Sequence, residues 1–350
     1  MLSLLPVKAV SANGSNPTPM FAYYYIWFDT KSWERAKTDI PLLGKYSSDD
    51  RAVMRQHIKW AKEAGITGFI VSWKSTDQLN KRLSSLVEIA AEENFKLAII
   101  YQGLDFNRDP LPISKIASDI DYFIQQYGTN PVFQVYSKPL LIWSGTWKFS
   151  AVDISSVTKK VRDRILVLGS EKNVDGYNRI SDLVDGDAYY WSSVNPDTYD
   201  GYAAKLEKMS QAVHDRQGIW IPPAAPGFDA RLVGGTTIVD RKNGDTLRTQ
   251  INTAQTSSPD MLGIISWNEF SENSQIEPSQ NYRGKALEVI SGINRLPGPT
   301  ITDLDSSDPV ASFIDPVKSS RVMALGGLLA LVLTGSVILF LRQSGRLGFR

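Results

Sequence analysis

Two glutamates stand three residues apart in Asn268-Glu269-Phe270-Ser271-Glu272. They follow directly on the apolar run Leu262–Trp267, whose length and β-branched content predict a buried strand. A carboxyl pair suits glycoside cleavage. One, protonated, gives its proton to the leaving oxygen; the other, ionised, stabilises or attacks the oxocarbenium-like centre or deprotonates a nucleophile. In a helical turn the two would share a face, with Cβ atoms about 5–6 Å apart. Like charges at that spacing raise one pKa and divide the acid role from the base role. The alternative is a solvated acidic loop. The position favours chemistry, because α/β barrels keep their functional groups just past the carboxyl ends of their strands.

The elements needed to position such a pair are legible along the chain. Phe21–Phe28, Ile66–Trp73, Lys96–Gln102, Val132–Trp143, Ile165–Leu168, Asp187–Ser192, Ile219–Pro222 and Leu262–Trp267 read as eight short strands. Between and after them, helical periodicity runs over Asp49–Ala64, Leu79–Glu93, Ile113–Tyr127, Ile154–Arg164, Tyr199–Arg216, Asp245–Gln255 and Tyr282–Ile293. This alternation predicts an α/β chain folded as a (β/α)8 TIM barrel over residues 20–296. A doubly wound sheet also alternates, but no Gly-rich phosphate loop follows the first strand. Gly234-Gly235 reads as a turn.

In a barrel the strand ends share one mouth. There the sequence would bring Trp27, Asp29, Trp73, Lys74, Gln102, Asp105, Trp143, Trp147, Glu171, Tyr189, Tyr190, Trp191, Pro226, Phe228, Asp229, Asn268, Glu269 and Glu272. Aromatic faces stack on sugar rings, while carboxylates and amides bind hydroxyls, so the set points to a carbohydrate site. For any one aromatic, ordinary core packing is the competing role.

Composition narrows the classes further. With 38 basic and 37 acidic residues the net charge is +1, which offers no general electrostatic case for nucleic acid. The absence of cysteine excludes disulfides, thiolate metal sites and a cysteine nucleophile. His57 and His214 fall in separate helices and read as structural or surface residues, not as metal ligands or triad members. No metal or cofactor is expected.

Val322–Leu341 is a run of twenty residues without charge, the length of one membrane crossing. Arg321 precedes it, and Arg342, Arg346 and Arg350 follow with no acid. The positive-inside rule then places residues 343–350 in the cytoplasm and the barrel outside. Residues 297–320, rich in Pro, Ser and Asp, read as a linker. Residues 1–19 read as a tail that includes a possible signal-peptide remnant ending near Val10-Ser11-Ala12. Without a signal the chain would be tail-anchored, with either the tail outside or the barrel in the cytoplasm.

The run Asn268-Glu269-Phe270-Ser271-Glu272, continued by Gln275-Ile276-Glu277, resembles the signature of glycoside hydrolase family 99, the endo-α-mannosidases and endo-α-mannanases. Tyr23-Tyr24-Tyr25-Ile26-Trp27, Leu43-Gly44-Lys45-Tyr46-Ser47-Ser48-Asp49, Ala64-Gly65-Ile66 with Val71-Ser72-Trp73, and Pro226-Gly227-Phe228-Asp229 support the likeness. It spans about residues 20–295. The resemblance implies cleavage of internal α-mannosidic linkages with retention, through a 1,2-anhydro sugar. It implies Glu269 as the base on the sugar 2-hydroxyl and Glu272 as the acid and then base. Tyr24, Trp27, Trp73, Asp105, Tyr190, Asp229, Asn268 and Glu277 are the expected substrate-binding residues. The chain departs from the family where an aromatic-His-Glu-Gly run becomes Phe270-Ser271-Glu272-Asn273. The missing His removes a hydrogen bond to substrate, whereas Asn273 tolerates positive φ nearly as well as Gly. The first-strand motif is also altered around Tyr25 and Ile26. A surface-anchored retaining endo-glycosidase is the leading expectation. A non-catalytic carbohydrate-binding barrel and an envelope polysaccharide transglycosylase are the alternatives.

Overall fold

The computed structural model describes residues 18–301. The expected membrane span, the basic tail and most of residues 1–19 and 297–320 lie outside the described residues. Among the described residues no helix is long and apolar enough to cross a membrane.

Strands β1 (Met20–Tyr25), β2 (Gly68–Trp73), β3 (Lys96–Gln102), β4 (Leu140–Ser144) and β5 (Leu166–Leu168) lie side by side, all parallel. The sheet continues from β5 through a parallel bridge between Gly169 and Asp187 into β6 (Gly186–Ala188), which pairs with β7 (Ile219–Ile221). After Pro222, whose carbonyl accepts the Gly263 N–H at 3.0 Å, the stave goes on as β8 (Pro223–Ala224). A small antiparallel hairpin, β9 (Phe228–Asp229) and β10 (Ile238–Val239), stands in the next loop. Finally β11 (Leu262–Ile264) pairs with β8 on one side and β1 on the other. The result is a curled parallel sheet of barrel form, as the alternation predicts.

Around it run α1 (Arg51–Glu63), α2 (Asp77–Glu92), α3 (Ile113–Tyr127), α4 (Ala151–Thr158), α5 (Val174–Ile180), α6 (Tyr202–His214), α7 (Asp245–Thr256) and α8 (Lys285–Ile293). Local chemistry sets their starts. Asp50 accepts the backbone N–H of Ala52 at 2.8 Å to cap α1. Ser150 and Asp153 form a capping box, which starts α4 three residues before the periodicity suggests. The seven-residue α5 was not expected, because only Tyr177 and Ile180 are buried on it, too few apolar positions for a readable period.

Two cores result from strand alternation. Inside the barrel pack Phe21, Tyr23, Ile70, Ala98, Ile100, Leu140, Ile142, Leu168, Ile221 and Ile265. Their sequence neighbours Ala22, Tyr24, Phe69, Val71, Trp73, Leu97, Ile99, Tyr101, Leu141 and Trp143 pack outward against the helices. This parity decides which strand-end residues can reach the mouth.

Candidate active site

The segment that carries Glu269 and Glu272 leaves β11 as a closed loop. Ser266 N–H donates to the Ser274 carbonyl at 2.8 Å, and Glu277 N–H to the Trp267 carbonyl at 2.8 Å. Inside this closure residues 270–273 form a turn, not the helical turn the spacing suggested. Asn273 carries φ 53°, the left-handed conformation for which Gly or Asn is favoured. Glu269 and Glu272 project half-buried from the turn.

Their surroundings treat them differently. Glu269 accepts the Ser271 N–H at 3.0 Å. Burial raises its pKa, opposed by Ser271 and by the nearby Lys37 and Arg35 cations. Glu272 is raised to about 8, first by burial and then by the Glu269 charge, with Arg108 opposing. Burial and a like charge together favour the protonated form of Glu272. Burial raises the pKa of Tyr25 and Tyr190, and the charges of Glu269 and Glu272 add to the rise. The Tyr25 and Tyr190 hydroxyls lie 2.6 Å apart in a hydrogen bond. Trp27 stacks on Tyr25, with ring centres 4.3 Å apart, and remains 42% exposed. This aromatic face is open to a ligand.

Asn268 has another task. Its amide receives the Tyr25 N–H at 2.9 Å and donates to the Tyr25 carbonyl at 3.0 Å. A side chain thus pairs like a strand residue with β1 and locks the glutamate loop to it. Asn268 also donates to the Tyr46 hydroxyl, 3.2 Å away. Behind it, the Tyr46 hydroxyl donates to Glu277 at 2.8 Å, Glu277 lies 3.0 Å from His57 Nε2, and His57 Nδ1 lies 3.0 Å from the Tyr24 hydroxyl. All five side chains are buried.

Several expected substrate contacts are consequently relocated. Tyr24 and Trp73 do not line the mouth. Strand parity turns both toward the helices, where Tyr24 stacks on Phe69 and the Trp73 indole N–H donates to Asn80 at 3.0 Å. Glu277 is fully buried between His57 and Tyr46 and supports the loop from behind. Asn268 is likewise turned onto β1. Asp105 folds back onto its own loop, accepting the N–H groups of Asn107 and Asp109 at 2.8 and 2.9 Å. Asp229 pairs with Arg231 at 2.6 Å, while its own N–H donates to the Glu272 carbonyl at 2.7 Å. Trp27 and Tyr190 are at the mouth. His57 is structural, as its helix position suggested.

Tyr25 was not among the expected contacts, although it shares the inward parity of Tyr23. Lys37 and Arg35 carried no sequence signal, because their loop is drawn in by Thr38, whose N–H and hydroxyl both donate to the Phe270 carbonyl at 3.1 and 2.8 Å.

A parallel α/β barrel with a glutamate pair at the carboxyl end of its strands is the build of a barrel glycoside hydrolase. The glycosyl hydrolase family 99 model matches residues 34–291, and the chain belongs to that family. It is 24% identical over 262 residues to rat glycoprotein endo-alpha-1,2-mannosidase, covering 68% of this chain and 56% of that protein. To the mouse glycoprotein endo-alpha-1,2-mannosidase it is 24% identical over 344 residues, covering 79% and 72%. The chain thus spans little more than half the length of the rat relative. The solved GH99 endo-alpha-mannosidase of Bacteroides thetaiotaomicron superposes with a TM-score of 0.69 at 19% identity, over 80% of this chain and 98% of that one. That likeness supports the barrel fold.

Proposed function

We propose that the protein is a retaining endo-glycosidase that hydrolyses internal α-mannosidic linkages of glycans. The observation that carries this reading is the placement of two glutamates just past the carboxyl end of β11 in different surroundings: Glu272 is raised to about 8 by burial and by the Glu269 charge, whereas the rise that burial gives Glu269 is opposed by Ser271, Lys37 and Arg35. A protonated Glu272 can give its proton to the leaving glycosidic oxygen. An ionised Glu269 can take the proton of the sugar 2-hydroxyl, whose oxygen then attacks the anomeric carbon as the glycosidic bond breaks. In the second half-reaction Glu272, now ionised, deprotonates water as it opens the 1,2-anhydro sugar, and Glu269 returns the proton to the 2-oxygen. Two inversions leave the anomeric configuration retained. Trp27, beside Tyr25, offers a stacking face for a neighbouring sugar.

We place the enzyme at a membrane, with the barrel outside and the tail in the cytoplasm. The uncharged run 322–341, flanked by Arg321 and Arg342, supports this.

The test is hydrolysis of α-mannosides by the full chain, Glu269→Gln and Glu272→Gln, with product configuration read by NMR at early times. Loss in both variants, with a retained first product, is the expected result. Undiminished cleavage in both, or binding without cleavage by the wild type, defeats the reading. Protease treatment of intact cells should release the barrel; protection of the barrel would reverse the topology.

A further inference from the structure

A cavity of about 690 Å³ lies between the loops that follow the last two staves. Its wall includes Arg241, Gly244, Leu247, Asn273, Tyr282 and Ala286, so it is bounded by the segment after β10, by the glutamate loop and by the first turns of α7 and α8. That volume suits a ligand of sugar size or larger.

Arg241 is 7% exposed. Its Nη2 donates to the Gln275 carbonyl, and its guanidinium carbon lies 4.1 Å from the centre of the Tyr282 ring. Its Nη1 has no hydrogen-bond partner. A β-carbon on Gly227 would lie 2.6 Å from Arg241 Cγ, so the backbone there leaves room for the buried stem. A buried charged donor without an acceptor is costly until an anion completes it. Burial draws the Arg241 pKa down to about 10, opposed by Tyr282 and Asp39. The nearby acids are engaged. Asp229 pairs with Arg231 at 2.6 Å and Glu288 with Lys285 at 2.5 Å. Asp240 accepts the Lys242 N–H at 2.7 Å, and Asp39 accepts those of Ile40 and Asn281 at 2.8 and 3.1 Å.

Asn273 supplies the complement. Its Nδ2 donates to the Tyr282 hydroxyl at 3.2 Å, while its Oδ1 is buried without a partner. One tyrosine thus carries Arg241 over its ring and Asn273 on its hydroxyl, and an unused cationic donor and an unused acceptor share one wall. The donor calls for an anion and the acceptor for a hydroxyl. Both helices beside the cavity start at glycine, Gly244 and Gly284, without a side-chain cap, and such ends favour negative charge. The loops after the seventh and eighth strands are a recurring phosphate site in α/β barrels.

We propose that this cavity binds a sugar bearing an anionic group, phosphate or carboxylate, with the anion on Arg241 Nη1 and a ring hydroxyl on Asn273 Oδ1. The site is separate from the glutamate pair, and the inference holds whichever glycosidic bond that pair cleaves.

The test is calorimetric titration of the full chain with mannose, mannose 6-phosphate, mannuronate and inorganic phosphate. At least one charged sugar should bind about tenfold tighter than mannose. Inorganic phosphate alone should bind more weakly than that sugar. The two charged sugars identify which anion is preferred. Arg241→Gln should bring the charged-to-neutral ratio to near one. Asn273→Gly, which a φ of 53° accommodates, should weaken the charged sugar about fivefold, the worth of one hydrogen bond. Equal affinity for mannose and both charged sugars, no binding of any probe, or an anion preference that survives Arg241→Gln overturns the proposal. So does inorganic phosphate binding as tightly as the preferred sugar. Circular dichroism reports whether each variant folds. If Arg241→Gln does not, Asn273→Gly decides: undiminished binding of the charged sugar overturns the proposal.

Discussion

Replacing Glu272 by Gln should make the protein more stable, and only above the ordinary carboxylate range. Folding raises this carboxyl from near 4.5 to about 8, so the native state holds the proton more tightly than the unfolded chain. Its contribution to stability is full below about pH 4.5 and is lost as pH rises through about 8. The uncharged Gln has no such dependence. A displacement of that size corresponds to about 5 kcal/mol if fully expressed. Glu272 is half-buried, and partial solvation reduces the expected gain to about 2 kcal/mol. For a barrel of this size that is about 4–8 °C in Tm. Thermal unfolding followed by circular dichroism near pH 4.5 and near pH 8 reads it directly. The variant should match the wild type at the lower pH and exceed it at the higher, while hydrolysis falls by about 10²–10⁴-fold. An equal shift at both pH values, or a lower Tm near pH 8, would refute the assignment of the proton to Glu272.

Removal of the buried support should act on stability and catalysis together. Glu277→Ala strands His57 and Tyr46 without their shared acceptor and should cost about 3 kcal/mol in urea denaturation, with Glu277→Gln recovering part of it. Asn268→Ala deletes both bonds to the Tyr25 peptide and should cost about 2 kcal/mol; a variant as stable as wild type would show that the loop is held by other means. Tyr24→Phe removes one buried hydrogen bond behind the sheet, so stability should fall by about 1 kcal/mol with KM unchanged. A raised KM would return Tyr24 to the substrate. Tyr25→Phe breaks the 2.6 Å bond to Tyr190 beside the glutamates and should lower kcat about tenfold or more with little change in Tm, measured by steady-state kinetics and calorimetry.

The glutamate pair at a strand end and the barrel were legible because each rests on short-range pattern. Leu262–Trp267 followed at once by Glu269 and Glu272 is a local arrangement, and eight apolar runs separated by helical periods leave few ways to bury them. The departure Ser271-Glu272-Asn273 was equally local: Asn273 does take the left-handed conformation its type permits. Other local features were obscured by weak signals. Tertiary hydrogen bonds at Gly169 and Asp187 carry the sheet through a stave of only three residues, and α5 buries too little to announce itself.

The residues misplaced by sequence reasoning fail for a shared reason. A strand end presents alternate side chains to opposite faces, and motif membership does not say which. Tyr24 and Trp73 belong to conspicuous aromatic stretches yet face the helices, while Tyr25 faces the glutamates. Glu277 and Asn268 belong to the same motif as the catalytic pair, but their partners lie 220 to 243 positions away in sequence. By itself the sequence determined the barrel-like alternation and the place of Glu269 and Glu272 just past its last strand. The tertiary structure decided how the two glutamates are surrounded, because burial and the placement of Lys37, Arg35 and Arg108 depend on how distant loops converge.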